Sequence, residues 1–138
     1  MSLRSRLSGL KRIISFGGWA FSNELGTNHI IREAVKPENR KTFPDNIVKF
    51  VEDNGLDGVD FDWEYPGAHD IDGSQPRTEE DGPTYLAFLK MVRESLPDDT
   101  SLAIAAPASY WYLRNFPVDK IADVVDYIVY KAYDLHGQ

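Results

Sequence analysis

Asp57, Asp60, Asp62 and Glu64 crowd into eight residues, Asp57-Gly58-Val59-Asp60-Phe61-Asp62-Trp63-Glu64. From Val59 to Glu64 apolar and acidic residues alternate strictly, the period of an extended strand. Asp60, Asp62 and Glu64 therefore point to one side, and Val59, Phe61 and Trp63 to the other. A solvated edge strand could show the same alternation. Helical segments bracket this strand, however, which predicts a parallel sheet covered on both faces, where strands normally read as apolar throughout. A row of carboxylates inside such a sheet is costly unless protons are shared, hydrogen bonds are made or a ligand is received.

Neighbouring acids commonly serve glycosidic bond cleavage. Glu64, last on the expected strand and nearest the cleft, is the natural proton donor. Asp62 would hold a negative charge beside it and favour its protonated form. Asp60 lies deeper and could share a proton with Asp62. Residues two apart on a strand are separated by roughly 6.6–6.8 Å, close enough for their carboxyl groups to approach.

Rival chemistries fit less well. A calcium loop opening at Asp60 needs glycine at its sixth position and a carboxylate at its twelfth, where Tyr65 and Ile71 stand. His29, His69 and His136 are scattered without zinc-ligand spacing. No G-x-S-x-G turn or G-x-G-x-x-G fingerprint occurs.

The 138 residues, 42% hydrophobic and 27% charged, suffice for one globular domain with a core. A net charge of -7 argues against nucleic acid or an anionic membrane as partner, since both need a basic surface. The chain has no Cys, which excludes disulfide and thiolate-metal scaffolds but leaves the compartment open. No apolar run approaches the roughly 18 residues of a membrane span. Met1 to Arg6 lacks the long apolar core of a secretion signal, and structured-looking sequence follows almost at once, as in an excised piece.

The elements that must position the acids read as follows. Leu10 to Phe16 is a strand running into Ser15-Phe16-Gly17-Gly18-Trp19, where paired glycines allow a tight turn or a close backbone approach. A polar connection with a short helix near Ile30 to Val35 follows. Pro44 to Asn54 is a helix with Pro44 in its first turn and Gly55 as its left-handed stop. After the acidic strand come a polar loop, Gly67 to Gly82, and a helix, Pro83 to Leu96, with an apolar stripe. Leu102 to Pro107 is a strand, Ser109 to Tyr112 an aromatic loop whose rings suit sugars but more commonly pack under the loop, Val118 to Val124 a short helix and Tyr127 to Tyr133 a last strand. Strands alternating with helices predict right-handed βαβ units, with the site at the C-terminal strand ends.

These residues resemble family 18 of the glycoside hydrolases, the chitinases. Asp57, Asp60, Asp62 and Glu64 match its D-x-x-D-x-D-x-E motif, and Trp63, Tyr65 and Pro66 its usual continuation. Ser15-Phe16-Gly17-Gly18 matches its S-x-G-G signature, and Tyr133-Asp134 resembles its M-x-Y-D. Ala105 to Tyr112 and Asp126 to Ile128 are similar to the fungal killer-toxin-like subgroup. The resemblance implies that residues 1–138 are a partial catalytic domain: an α/β segment of a (β/α)8 barrel, about strands three to six, with a parallel sheet. It implies a retaining, substrate-assisted reaction on β-1,4-linked N-acetylglucosamine, an exception to two-carboxylate hydrolysis. Glu64 would protonate the leaving oxygen and Asp62 orient the acetamido nitrogen. Asp60 would support Asp62, and Tyr133 would bond the acetyl oxygen. Gly17, Gly18, Trp19, Trp63, Tyr65, Trp111 and Asp134 would contact sugar, and Asp57 would be a turn residue. Chitin or a chito-oligosaccharide is the implied partner, no metal or organic cofactor is implied, and family members are often secreted.

Two departures carry expectations of their own. Lys131 stands where the family has methionine, on the same strand parity as Tyr133. If Tyr133 faces the site, an ammonium enters the cleft, pairs with Asp62 or Glu64 and weakens catalysis; otherwise it snorkels outward. The second departure is length. An eight-stranded barrel takes about 250 residues, so this piece leaves two unpaired sheet edges through which it could self-associate.

Overall fold

A computed structural model describes residues 9–71 and 78–135, without the side chain of Asp134. Four strands, β1 (Ile13–Gly17), β2 (Gly58–Asp62), β3 (Ser101–Pro107) and β4 (Tyr127–Lys131), lie in the order β1-β2-β3-β4, all parallel. Between them run α1 (Trp19–Asn23), α2 (Ile30–Ala34), α3 (Thr42–Asp53), α4 (Asp81–Ser95), α5 (Tyr110–Leu113) and α6 (Val118–Ile121), and a 3-10 turn (Tyr133–Leu135) follows β4. No helix among the described residues is long and apolar enough to cross a membrane.

Ile47 and Val51 of α3, with Tyr85, Phe88, Leu89 and Val92 of α4, cover Val59, Phe61, Leu102 and Ile104 on one face of the sheet. The apolar half of the alternation is thereby removed from water, the main driving force of folding. Phe88 meets Phe61 edge-on at 5.1 Å. The helix α3 ends as its Gly55 predicts: Gly55 takes φ +56°, its N–H donates to Glu52 O, and Leu56 N–H donates to Val51 O. This paired C-terminal cap satisfies carbonyls that the helix leaves open.

Several boundaries differ from expectation, each for a local reason. Helix α3 begins at Thr42 and α4 at Asp81, so Pro44 and Pro83 both sit third in their helices, where a missing N–H costs nothing. The aromatic stretch after β3 is helical from Tyr110 to Leu113, not a loop. Strand β2 stops at Asp62 and β4 at Lys131, so Glu64 and Tyr133 lie beyond the ladder. Residues 72–77 of the expected polar loop lie outside the described residues.

Tyr85, fully buried beneath the sheet, gives a pH prediction. Burial pushes its phenol well above the ordinary 10.0, and the charges of Asp60 and Asp62 add to the effect. On unfolding the phenol reverts to its free value of about 10. The unfolded chain therefore loses this proton first, and stability that is intact below about pH 10 falls as pH rises further, by up to about 1.4 kcal/mol per unit. Tyr85→Phe should remove that part of the alkaline loss. Urea midpoints for the two proteins between pH 9 and 11.5 measure it, and parallel curves would refute it.

Candidate active site

The register fixes which side chains meet. Ser15 pairs with Asp60 and Gly17 with Asp62 across β1 and β2; Asp60 then pairs with Ala103, and Ala103 with Tyr127. Counting by twos along β4 from Tyr127 brings Lys131 to the same face as Asp60 and Asp62. This face lies opposite the one that α3 and α4 cover.

The arrangement reads from the inside outward. Asp60 is buried, its Oδ2 accepting the Ser15 hydroxyl at 2.6 Å while Oδ1 has no partner among the described residues. Asp62 stands one step nearer the strand end, and Glu64 follows beyond it. Lys131 Nζ lies 2.6 Å from Asp62 Oδ1 and 2.8 Å from Glu64 Oε1. The lysine is only 8% exposed, so the outward-snorkelling alternative is not what the structure adopts. A buried ammonium is tolerated when its hydrogens meet acceptors. Two carboxylates provide them, and the Tyr65 ring, 5.2 Å from Nζ, adds its negative face.

Around these groups opens a cleft of about 490 Å³, lined by Trp19, Glu64, Tyr65, Tyr112, Lys131 and Tyr133. Tyr65 and Tyr112 stack at 4.6 Å, forming one wall. Trp19, 54% exposed, and Tyr133, 78% exposed, are half-wet aromatics of the kind that receive a sugar face. The structure therefore brings Asp60, Asp62, Glu64, Tyr65, Trp19 and Tyr133 to one region.

Other expected site residues fall elsewhere. Trp63 is 2% exposed and meets Tyr85 edge-on at 5.3 Å, which places it in the core under the sheet and not in the cleft. Its alternation with Glu64 already pointed it away from the acids. Trp111 does not line the cleft: its Nε1 donates to Asp70 at 3.0 Å, and the Arg114 guanidinium covers its ring at 3.7 Å. Gly17 and Gly18 serve the backbone. Both have positive φ, and Gly18 N–H donates to Asp62 O at 2.8 Å. A Cβ on Gly17 would run into that same Asp62 carbonyl. Gly17→Ala should therefore cost about 3 kcal/mol through strain and overpacking, read as a lower urea midpoint; a midpoint matching the native protein would refute the close approach. Asp57 lies at the far end of β2, where its carboxylate accepts Arg12 N–H at 2.8 Å, as suits a turn residue. The side chain of Asp134 lies outside the described part.

The polar connection after β1 held contributions that its sequence did not reveal. Ser22 Oγ accepts the Glu64 N–H at 3.1 Å, and Asn23 Nδ2 donates to Glu64 O at 3.1 Å. Helix α1 thus grips both backbone groups of the candidate acid. The signal available was two small polar residues on a short amphipathic turn beside the glycine pair, which any loop could show. Tyr112 was visible only as one aromatic among three.

Acidic side chains gathered at the C-terminal ends of parallel strands, with helices over the other face, define the layout of (β/α)-barrel enzymes. All of residues 1–138 match the sequence pattern described as Glycosyl hydrolases family 18, and the chain belongs to that family. It is 53% identical over 132 residues to the "Secreted chitinase LysM12" of Penicillium expansum, covering 96% of this chain and 9% of that protein. It is 47% identical over 133 residues to "Killer toxin subunits alpha/beta" of Kluyveromyces lactis, covering 96% and 12%. Among solved structures, "Chitinase ChiA74 from Bacillus thuringiensis" superposes with a TM-score of 0.85 at 36% identity, over 98% of this chain and 22% of that one. The four-stranded sheet is thus an arc of the barrel of family 18 chitinase domains. The chain spans about a tenth of the length of these curated relatives.

Proposed function

We propose that this chain carries the acid side of a site that hydrolyses β-1,4-linked N-acetylglucosamine in chitin or chito-oligosaccharides, with Lys131 impairing it. Glu64 lining the cleft, with Asp62 joined to it through Lys131, is the observation that supports this most. In the reaction, Glu64 gives its proton to the leaving glycosidic oxygen. The substrate's acetamido oxygen attacks the anomeric carbon and forms a cyclic oxazolinium. Water then adds from the vacated side, returns a proton to Glu64 and leaves the anomeric configuration retained. Asp62 orients and charge-balances the acetamido nitrogen, Asp60 supports Asp62, and Tyr133 bonds the acetyl oxygen. Trp19 and Tyr65 supply apolar faces, and Asp134 belongs to the same sugar site.

Lys131 is the exception in this scheme. An ammonium 2.8 Å from Glu64 Oε1 occupies the carboxyl group that must reach the leaving oxygen. That bridge supports a second reading, a non-catalytic chito-oligosaccharide-binding module. Chitin-bead capture combined with assay of released soluble sugar separates the two. Retention on beads with chitotetraose cleaved to β-anomeric ends, once Lys131 is replaced by Met, supports the hydrolase. Retention with no sugar released by either chain selects the binder, and no retention defeats both. Tyr127, Val129 and Tyr130 are exposed on edge strand β4, so self-association through open edges belongs to the proposal and is checked by sedimentation.

A further inference from the structure

Helix α1 grips Glu64 directly, but the segment that follows the acid needs an anchor of its own. The chain from Trp63 to Gly67 leaves the sheet and has no ladder to hold it. Arg32 of α2 and Asp81, the first residue of α4, occupy the gap. Their side chains are 11% and 8% exposed, with Arg32 Nη2 3.0 Å from Asp81 Oδ2. The same Oδ2 accepts the Gly67 N–H at 2.9 Å, and Asp81 Oδ1 accepts the Thr78 hydroxyl at 3.4 Å. The Arg32 guanidinium lies over the Trp63 ring, 5.3 Å from its centroid.

One buried ion pair therefore holds the residue before Glu64 by its ring and the residue three after it by its backbone. We infer that Arg32 and Asp81 are positioning residues for the acid-bearing segment. Neither lines the cleft, and neither is called for by the core, which α3 and α4 already fill with apolar side chains. A buried pair is weak as a source of stability against a well-packed apolar replacement, but it can fix a single arrangement. A planar guanidinium suits this task because it lies over an indole while Nη2 bonds a carboxylate oxygen.

The test separates positioning from general stability. Arg32→Met with Asp81→Leu removes both charges together, so that no lone buried charge is left. Its thermal melt should fall by only a few degrees, because the Gly67 N–H loses its acceptor but no charge is left buried alone. Amide hydrogen exchange at Glu64, whose N–H is bonded to Ser22, should speed up about tenfold as the segment opens locally. Asp81→Asn, which keeps an acceptor for Gly67 but leaves Arg32 a neutral partner, should give a rate between native and the double variant. Arg32→Lys, which keeps the charge and loses the stacked plane, is the milder variant should the double one not fold; it should still accelerate Glu64 exchange. Faster exchange at Gly67 with Glu64 unchanged, in either folded variant, would overturn the inference.

A kinetic arm rests on the hydrolase reading. In a chain carrying Lys131→Met, the double substitution should lower kcat about tenfold with KM kept within about threefold, because orientation and not binding is lost. Unchanged kcat in a folded protein counts against positioning. If the Lys131→Met chain cleaves nothing, the hydrolase reading fails, and exchange at Glu64 still decides the role of the pair.

Discussion

Replacing Lys131 by Met should raise the rate of chromogenic chitobioside hydrolysis by about 100-fold, the lower end of what a positioned general acid contributes. The reason is access to one carboxyl group. In the native chain the ammonium sits between Asp62 Oδ1 and Glu64 Oε1 at 2.6 and 2.8 Å. With the cation gone, the Glu64 carboxyl is released from that contact and can meet the leaving oxygen. The change has a structural cost: the surviving carboxylates lose a buried partner, so the variant should be less stable by about 3 kcal/mol at neutral pH. Rates are therefore compared at a temperature where both melts show a folded protein. Equal rates would remove Lys131 from the account of activity.

Glu64→Gln introduced into the Lys131→Met chain should reverse that gain, lowering kcat by about 100-fold. The amide keeps the size and some of the hydrogen bonding of the acid but holds no proton to transfer. The same substitution in the native chain should change the rate little, because Lys131 already engages that carboxyl group. The two substitutions are thus strongly non-additive, as expected of groups in direct contact. Full activity of the Glu64→Gln, Lys131→Met chain would place the acid elsewhere, and Asp62 would become the next candidate.

Much of this site was legible because strand periodicity is a strong signal. Asp60 and Asp62 share a face, and Trp63 an opposite one, by parity alone. The same parity brought Lys131 into the cleft, and the register through Ala103 and Tyr127 gives the physical reason. Periodicity does not say where a strand stops. Glu64 and Tyr133 both lie past the last paired residue, so their positions depend on tethers from distant segments. Ser22, Asn23, Arg32 and Asp81 supply those tethers for the segment bearing Glu64, across 14 to 49 residues of sequence. No local pattern announces such partners. Trp111 illustrates the opposite limit: an aromatic in a polar stretch suits a sugar, yet Asp70 and Arg114 engage it outside the cleft. The two-residue shifts at Pro44 and Pro83 have a simpler cause, since proline is tolerated anywhere in a first helical turn.

The placement of the ammonium between two carboxylates can be observed without any substrate. Lysine side-chain ¹⁵N–¹H correlation spectra of the native chain should contain one slowly exchanging NH3⁺ signal, assigned to Lys131 by its loss in Lys131→Met, with a hydrogen-bond coupling to the carboxyl carbon of Asp62. A Lys131 signal that exchanges with water as fast as those of exposed lysines, and couples to neither carboxylate, would contradict the account.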